Sequence, residues 1–316
     1  MSLLLSIGGW DIDAWDKRFR SFAPGRAIQH AGAADLDLSA VEYGVAWQSE
    51  QGLFARCPNL KAVFSLGAGV DHLMRDKTLP DVPVLRIVDP NLTMRMTEWV
   101  VLQVLMHHRQ QDRLQMAQQA SDWRDLPQWS ADEVRVGILG LGNLGQDSAD
   151  VLSRLGFQVA GWSRSKKHIP GLESFAGNDA DGLDAFLART DILVCLLPLT
   201  AETTGILNYD LFSKLSRSGP LGGPVIINAG RGGQQVESDI LRALDDGTLQ
   251  AASLDVFNEE PLPAASPFWG HPKVYVTPHL AAESHPDHMC RNIIDQINAF
   301  ERGEPFKNRV DMGAGY

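Results

Sequence analysis

The feature that most constrains this chain is a glycine-rich segment, Gly140-Leu-Gly142-Asn-Leu-Gly145, between a predicted strand at 134–139 and a predicted helix at 144–155. Three glycines at this spacing between a strand and a helix are typical of a dinucleotide-binding loop. Gly140 permits a tight turn, Gly142 lets the main chain approach a pyrophosphate, and Gly145 lets the helix pack closely on the strand. The helix N-terminus then offers main-chain N–H groups to the phosphates. A glycine-rich turn without a ligand is the alternative.

The rest of the chain alternates apolar runs with helical patterns, which predicts a parallel α/β architecture. Its 316 residues favour two domains, since a domain typically has on the order of 100–200 residues. A stretch without Gly or Pro at 93–119 predicts one long helix, and a last helix is expected at 289–302. The predicted strands lie at 3–8, 41–47, 61–66, 84–87, 134–139, 157–162, 192–196, 225–228, 251–256 and 274–277.

The segment after the second strand of the dinucleotide unit indicates which dinucleotide is bound. A site for NAD places a carboxylate there to hold the ribose 2′-hydroxyl, but this chain has Ser163, Arg164, Ser165 and Lys166. A carboxylate would repel a 2′-phosphate, whereas basic and hydroxyl side chains attract one. The sequence therefore predicts NADPH in preference to NADH, with NADH still possible. A solvated basic turn is the alternative.

Three charged residues, Arg231, Glu260 and His279, each follow a strand of the same predicted sheet. Ligands of open α/β sheets bind at the carboxyl ends of the strands, so we expect these side chains to meet. Histidine is the usual proton donor in ketone reduction, and a neighbouring carboxylate fixes its tautomer. A guanidinium can hold a carboxylate and polarise a carbonyl. Singly, the three could be an ion-pair partner, a solvated acid and a buried histidine.

Composition excludes several other functions. The net charge of −11 disfavours nucleic acid and anionic lipid as partners, and no apolar run is long enough to span a membrane. Three separated cysteines predict no disulfide framework and favour the cytoplasm. The apolar start is expected to be a strand and not a signal peptide. The cluster at 283–290 is not expected to bind metal because Pro286 interrupts its helical spacing, and the polar group at 107–109 is predicted to be surface or interface.

Four further motifs carry a resemblance to a known family. They are Leu197-Pro-Leu-Thr-Ala-Glu-Thr-Thr-Gly205, Ile227-Asn-Ala-Gly-Arg-Gly232, Leu254-Asp-Val-Phe257 followed by Glu260-Pro-Leu262, and Thr277-Pro-His-Leu-Ala281. In this order and spacing they resemble the D-isomer-specific 2-hydroxyacid dehydrogenases, and within them the bacterial reductases of glyoxylate and hydroxypyruvate. The similarity extends at least from Ser65 to Ala282, most of the chain.

The resemblance implies an activity and a role for each matching residue. The expected reaction is NADPH-dependent reduction of a small 2-keto acid, glyoxylate to glycolate or hydroxypyruvate to glycerate. Arg231 would bind the substrate carboxylate and carbonyl, and Glu260 would pair with His279, the proton donor. The loop Gly67-Ala68-Gly69-Val70 would donate main-chain N–H groups to the substrate carboxylate, unless it is a plain strand-to-helix turn. Trp47 is a candidate for substrate selection.

The cofactor is expected to meet residues from six segments of the chain. Asp255 would contact the nicotinamide carboxamide, and Leu197, Pro198 and Thr203 would line the adenosine and pyrophosphate side. The full set of expected cofactor contacts is Gly140, Gly142, Asn143, Leu144, Gly145, Ser163, Arg164, Ser165, Lys166, Leu197, Pro198, Thr203, Ala229, Gly230, Asp255 and Ala281.

The resemblance also implies an architecture of two Rossmann-like or flavodoxin-like domains, each with a doubly wound parallel sheet, and an active-site cleft between them. Residues 1–95 and 287–316 would form the substrate domain and residues 96–286 the cofactor domain. Homodimers are usual in the family. Two alternatives stay open at this point: an NAD-dependent dehydrogenase of a bulkier D-2-hydroxy acid, and a nucleotide-sensing binding protein on the same fold.

Overall fold

A computed structural model of the chain describes residues 2–67, 69–177 and 180–313. It divides into two compact units, one containing the chain up to Leu92 together with the residues from Ser284 onward, the other running from Thr93 to Glu283. The sequence prediction puts these divisions at 95/96 and 286/287.

Each unit is built on a parallel sheet, as the apolar runs predict. The strands are Ser2–Ile7 (β1), Ala27–His30 (β2), Val41–Trp47 (β3), Ala62–Ser65 (β4), Val84–Leu85 (β5), Arg135–Leu139 (β6), Gln158–Ser163 (β7), Glu173–Ala176 (β8), Ile192–Cys195 (β9), Val225–Asn228 (β10), Ala251–Leu254 (β11) and Val274–Val276 (β12). The runs at 27–30 and 173–176 were not predicted, because their side chains are only partly buried and give no continuous apolar signal.

Helices connect most of these strands. They are Ile12–Phe22 (α1), Asp71–Met74 (α2), Pro90–His108 (α3), Gln111–Gln119 (α4), Asn143–Arg154 (α5), Ala185–Ala188 (α6), Tyr209–Lys214 (α7), Glu237–Asp245 (α8) and Pro286–Glu301 (α9). Short 3-10 turns lie at Leu38–Ala40, Phe54–Arg56, Ala131–Glu133, Gly232–Gln234 and Pro267–Gly270, and a π turn lies at Ala180–Asp184. The predicted class, two Rossmann-like α/β domains with parallel sheets, is confirmed.

The sheet of the second unit has the strand order β12-β11-β10-β9-β6-β7-β8, and every pairing is parallel. The order reverses between β9 and β6, which is the switch point where ligands of such sheets bind. Strands β9, β10 and β11 are buried throughout. Apolar clusters cover both faces, one including Phe186, Phe212 and Phe268, the other including Trp99, Val104 and other residues of α3.

The sheet of the first unit has the order β2-β1-β3-β4-β5, also parallel. Helices α1 and α9 pack on one of its faces through Phe19, Ile293 and Ile297. The carboxyl ends of β1, β3 and β4 lie together, because Ile7 is opposite Trp47 and Ala46 is opposite Ser65. The glycine loop at 67–70 therefore begins beside Trp47.

The predicted single helix at 93–119 is wrong, because the chain forms two helices there. Helix α3 ends at His108 and α4 begins at Gln111, and Gln110 between them has a φ of 54° in the left-handed region. The Gln110 side chain is buried and donates to the Pro127 carbonyl at 2.6 Å, while it accepts from Arg113 at 3.0 Å. These contacts stabilise the interruption between α3 and α4, at which the sequence has neither glycine nor proline.

Of the residues at 107–109 that were predicted to be surface or interface, His107 and His108 are instead buried within the chain. His107 is 8% exposed and His108 is 5% exposed. Burial lowers the pKa of both imidazoles, that of His107 to about 4. Residues on the buried face of α3 pack on the sheet, and these two rings contact Tyr275 and Phe157.

Pro286 begins a helix where the sequence analysis took it as an interruption. It occupies the first turn of α9, where a proline loses no helical hydrogen bond. His285 caps this helix by accepting from the Asp287 N–H at 3.3 Å, and Cys290 points into the core. Through the described part of the chain, no helix combines the length and apolar character needed to cross a membrane.

Candidate active site

The carboxyl ends of the second unit's strands bring the predicted residues to one edge of its sheet. Registers pair Leu139 with Cys195, Cys195 with Asn228, Asn228 with Leu254, and Leu254 with Val276. The segments that follow these strand ends therefore emerge side by side. They carry the glycine loop, the turns at 196–198, 229–231 and 255–260, and the turn that contains His279.

His279 and Glu260 form a close pair at this edge. Nδ1 of His279 lies 2.7 Å from Oε2 of Glu260, and Oε1 of Glu260 accepts from the Phe257 N–H at 2.9 Å. A carboxylate can only accept, so Nδ1 carries a hydrogen and the ring is oriented with Nε2 on its far side. The His279 side chain is 45% exposed, which gives a ligand access to it.

The surroundings of Glu260 keep it ionised. Burial raises the pKa of this carboxyl, but hydrogen bonds from His279 and the Phe257 N–H, with the charges of His279 and Arg231, lower it further than burial raises it. The pKa of Glu260 therefore lies below its ordinary value. A carboxylate in this state stabilises a positive charge on the neighbouring imidazole.

The main chain at His279 is held in an unusual conformation. Its φ is 53°, which a residue with a side chain rarely adopts. The His279 N–H donates to the Asp255 carbonyl at 2.8 Å, and the N–H groups of Leu280 and Ala281 each donate to the Asp255 carboxylate at 3.0 Å. Thr277 donates its hydroxyl to the same carboxylate. Asp255, only 1% exposed, therefore fixes the turn that presents His279.

Arg231 sits at the end of a turn shaped by a buried asparagine. Oδ1 of Asn228 accepts from the Gly230 N–H at 3.0 Å, and its Nδ2 donates to Gln235 at 2.9 Å. Nη1 of Arg231 donates to the Gly230 carbonyl at 2.7 Å. The adjacent turns are in close contact, because a Cβ added at Gly232 would lie 1.8 Å from the Phe257 carbonyl oxygen. The guanidinium is close enough to influence the Glu260 carboxyl.

The glycine loop has the geometry that a dinucleotide requires. Gly140 has a φ of 104°, and a Cβ at Gly145 would lie 1.9 Å from the Gly140 carbonyl oxygen. Neither position admits a side chain. Apart from Gly142 and its two chain neighbours, no described residue has an atom within 4 Å of a Cβ built at Gly142, so open space stands before the start of α5 at Asn143. The first N–H groups of α5 and this space fit a pyrophosphate.

The basic turn after β7 lies next to this loop. Arg164, Ser165 and Lys166 are exposed, and Nζ of Lys167 donates to the Leu141 carbonyl at 2.6 Å. Ser163 is 8% exposed and donates its one hydroxyl hydrogen to the Ser165 carbonyl at 2.8 Å. In this structure Ser163 shapes the turn, whereas the three exposed side chains lie where a phosphate could reach them.

The remaining expected cofactor contacts line the same edge. Leu197, Ala229 and Ala281 are largely buried, and Leu144 lies in the first turn of α5. Thr203 donates its hydroxyl to the Pro198 carbonyl at 2.6 Å and accepts from the Thr200 N–H at 2.8 Å, which closes the loop after β9.

In the first unit, the glycine loop follows β4 and contacts an aromatic stack. A Cβ at Gly67 would lie 2.7 Å from the Trp47 ring, and Trp47 stacks on Trp10 with centroids 4.7 Å apart. Ser65 donates to the Gly69 carbonyl at 2.9 Å and accepts from the Gly67 N–H at 3.3 Å. Val70 is buried, and Ala68 lies outside the described residues.

Comparison with known proteins identifies the family. The profile of the D-isomer-specific 2-hydroxyacid dehydrogenase NAD-binding domain matches residues 101–281. The chain belongs to this family. A relative from Yersinia enterocolitica named glyoxylate/hydroxypyruvate reductase A is 41% identical over 286 residues, 89% of each chain. A relative of the same name from Klebsiella pneumoniae is 40% identical over the whole length of both.

Solved structures give the same result. The NADPH-dependent glyoxylate/hydroxypyruvate reductase from Sinorhizobium meliloti, crystallised with NADP and sulfate, is 50% identical with a TM-score of 0.92, covering 100% of this chain and 99% of that one. A probable 2-hydroxyacid dehydrogenase from Rhizobium etli, in complex with NADP, HEPES and L(+)-tartaric acid, is 47% identical with a TM-score of 0.94 at the same coverage. The present chain is thus a 2-hydroxyacid dehydrogenase, and its predicted enzyme class is confirmed.

Two residues that shape the candidate site were not predicted from the sequence. Lys167 was left out of the expected phosphate ligands, although the basic run includes it, because its reach to Leu141 depends on the pairing of β6 with β7. Gln235 was also missed: it donates to the Val256 carbonyl at 3.0 Å and accepts from Asn228, so it ties two site turns together. Its only signal in the sequence is a polar side chain in a buried segment.

Proposed function

We propose that this dehydrogenase reduces a small 2-keto acid with NADPH, glyoxylate to glycolate and hydroxypyruvate to glycerate. The observation that carries the proposal is the His279–Glu260 pair, with its 2.7 Å hydrogen bond, beside Arg231 at the sheet edge that also holds the glycine loop. The names of the Yersinia and Sinorhizobium relatives support this substrate class.

Three side chains each have a separate role in the proposed reaction. The guanidinium of Arg231 binds the substrate carboxylate and polarises the carbonyl. When bound, NADPH supplies the hydride that adds to the carbonyl carbon. Nε2 of His279 gives its proton to the carbonyl oxygen, which becomes the hydroxyl of the product. Glu260 holds the ring through Nδ1 and stabilises the imidazolium before transfer.

The cofactor residues of the proposal are those predicted from the sequence, with Lys167 added and with Ser163 shaping the turn that carries the basic side chains. The pyrophosphate would lie at Gly142 and the N-terminus of α5, where Asn143 and Leu144 begin the helix. Arg164, Ser165, Lys166 and Lys167 would hold the 2′-phosphate. The NADP and NADPH complexes of the Sinorhizobium, Rhizobium and Xanthobacter structures support this choice of dinucleotide. Leu197, Pro198, Thr203, Ala229, Gly230, Asp255 and Ala281 would complete the cofactor contacts.

We assign a substrate role to the first unit as well. The N–H groups of Gly67, Gly69 and Val70 would donate to the substrate carboxylate, and Trp47 would limit the size of the substrate side chain. Ala68 belongs to the same expected loop. A Trp47→Ala protein that accepts phenylpyruvate no better than the wild type would refute the role of Trp47.

We also propose that the protein is a cytoplasmic homodimer. Cys57, Cys195 and Cys290 are buried and form no disulfide, which suits a reducing compartment. Light scattering on the purified protein measures the assembly directly, and a monomer at working concentration would refute the dimer.

The test is NADPH oxidation, followed by absorbance, with glyoxylate, hydroxypyruvate, pyruvate and phenylpyruvate, each repeated with NADH. Fast turnover of glyoxylate and hydroxypyruvate with NADPH is expected. In His279→Ala turnover falls at least ~10²-fold, because the proton donor is lost. Turnover restricted to phenylpyruvate with NADH would favour the dehydrogenase of a bulkier acid. Tight nucleotide binding without turnover of any keto acid would favour the nucleotide sensor.

A further inference from the structure

Gln234 lies in the 3-10 turn directly after Arg231, and its side chain is fully buried. Its carboxamide stands between the turn that carries Arg231 and the loop that follows β9. Neither its position in the sequence nor the reaction proposed above assigns it a role.

All four hydrogen-bonding positions of this carboxamide are used. Nε2 donates to the Leu197 carbonyl at 2.8 Å and to the Pro198 carbonyl at 3.1 Å. Oε1 accepts from the Arg231 N–H at 2.9 Å and from Sγ of Cys195 at 3.5 Å. An amide offers two donors and two acceptor sites, so the side chain is saturated. Only one orientation of the amide satisfies two carbonyls on one side and two donors on the other.

The carboxamide is also confined sterically. A Cβ added at Gly230 would lie 2.3 Å from Oε1 of Gln234 and 3.0 Å from the Leu197 carbonyl oxygen. The two turns and the amide are therefore packed without spare room. A small shift of the loop after β9 would be transmitted to the main chain of Arg231 through these contacts.

We propose that Gln234 is a positioning residue that ties the cofactor loop, Leu197–Pro198, to the main chain of the substrate anchor, Arg231. The inference rests on the proposed function, which assigns the cofactor to that loop and the keto acid to Arg231. Because misplacement of a reacting group by about 1 Å can cost on the order of 10²-fold in rate, a link between the two binding sites has a kinetic consequence. Its loss should raise the KM for the keto acid and lower kcat together.

A purely structural role is the competing explanation, since a buried amide also stabilises the fold. Gln103 provides a matched control. It is 4% exposed, lies in the same unit on α3, and accepts a hydrogen bond from Ser253 within β11 at 2.7 Å. Gln103→Leu and Gln234→Leu both remove a buried amide and should both lower the melting temperature.

The experiment compares the full-length wild type, Gln103→Leu, Gln234→Leu and Gln234→Glu in melting temperature and in kcat and KM for glyoxylate with NADPH. For Gln234→Leu we expect KM to rise at least ~10-fold and kcat to fall at least ~10-fold. For Gln103→Leu both constants stay within about twofold of the wild type.

The Gln234→Glu variant adds a readout that a structural role would not give. The ionised carboxylate that this substitution introduces has no donor for the Leu197 and Pro198 carbonyls, whereas the protonated carboxyl group has one. The ratio of Gln234→Glu to wild-type kcat/KM, measured at each pH, should therefore rise as the pH falls. This ratio cancels the pH dependence that both proteins share.

Two outcomes overturn different statements. If the wild type is active and Gln234→Leu keeps its kcat and KM, the positioning role alone is overturned. The same holds if Gln234→Leu loses no more activity than Gln103→Leu. A wild type that turns over none of the keto acids overturns the proposed function. If Gln234→Leu does not fold, the Gln234→Glu variant still tests the proposal. A ratio of its kcat/KM to that of the wild type that does not change with pH overturns the positioning role.

Discussion

Asp255 accepts the main-chain N–H of His279 through its carbonyl at 2.8 Å, while its carboxylate accepts the two N–H groups that follow. One buried residue thus fixes the left-handed turn that aims the imidazole. The strain of a positive φ at a residue with a side chain persists only where its surroundings enforce it. Here the enforcing groups are the carbonyl and the carboxylate of Asp255, which directly follows the neighbouring strand β11.

The first prediction concerns Asp255→Asn. An amide in place of the carboxylate sets its NH₂ group against one main-chain N–H, which leaves a buried donor unpaired and costs about 1–3 kcal/mol of unfolding free energy. The turn at His279 should loosen, and turnover should fall at least ~10-fold. Chemical denaturation and steady-state kinetics measure the two effects. Full turnover in a destabilised Asp255→Asn protein would show that the turn does not depend on this carboxylate.

The second prediction concerns Arg231→Lys. Lysine keeps the positive charge but cannot bind a carboxylate with two parallel hydrogen bonds. We expect the KM for glyoxylate to rise at least ~10-fold, while the dissociation constant for NADPH, measured by tryptophan fluorescence, stays within about twofold. A loss confined to NADPH affinity would instead place Arg231 in the cofactor site.

The third prediction concerns the dinucleotide preference. Removal of a charge-assisted hydrogen bond costs about 1.5–3 kcal/mol, so Arg164→Ala should reduce the NADPH to NADH ratio of kcat/KM at least ~10-fold. Arg154→Ala is the matched control, because Arg154 is an exposed arginine on α5 paired with Asp150 at 2.8 Å. If both variants have the same NADPH to NADH ratio of kcat/KM, Arg164 does not bind the 2′-phosphate. Lys166 and Lys167 would then be tested in its place.

Much of the site could be predicted because it depends on where strands end. Buried parallel strands are continuous apolar runs, and the residues after them, such as Arg231 and His279, must emerge at one edge. The break at Gln110 could not be predicted, since it depends on a hydrogen bond that its side chain donates to the distant Pro127 carbonyl, together with one that it accepts from Arg113. The burial of His107 was missed for a related reason: a polar residue on a helix is expected outside unless its partners are known.

The last prediction concerns that buried histidine. Ser253 donates its hydroxyl to Gln103 at 2.7 Å, so Nε2 of His107, 2.8 Å from the same hydroxyl oxygen, must be the donor in that contact. Burial lowers the pKa of His107 from 6.5 to about 4, an effect that the charge of Asp112 opposes. Between these values the unfolded chain binds the proton and the folded chain does not.

Stability should therefore fall as the pH drops from about 6.5 to 4, by up to ~3 kcal/mol from this group alone. Glutamine in its place keeps a donor for Ser253 but does not titrate, so His107→Gln should lose this part of the pH dependence. Denaturant unfolding at several pH values measures it, with His285→Gln as a control at an exposed histidine of the other unit. If the unfolding free energy of His107→Gln depends on pH as steeply as that of the wild type, other groups cause the loss of stability in acid.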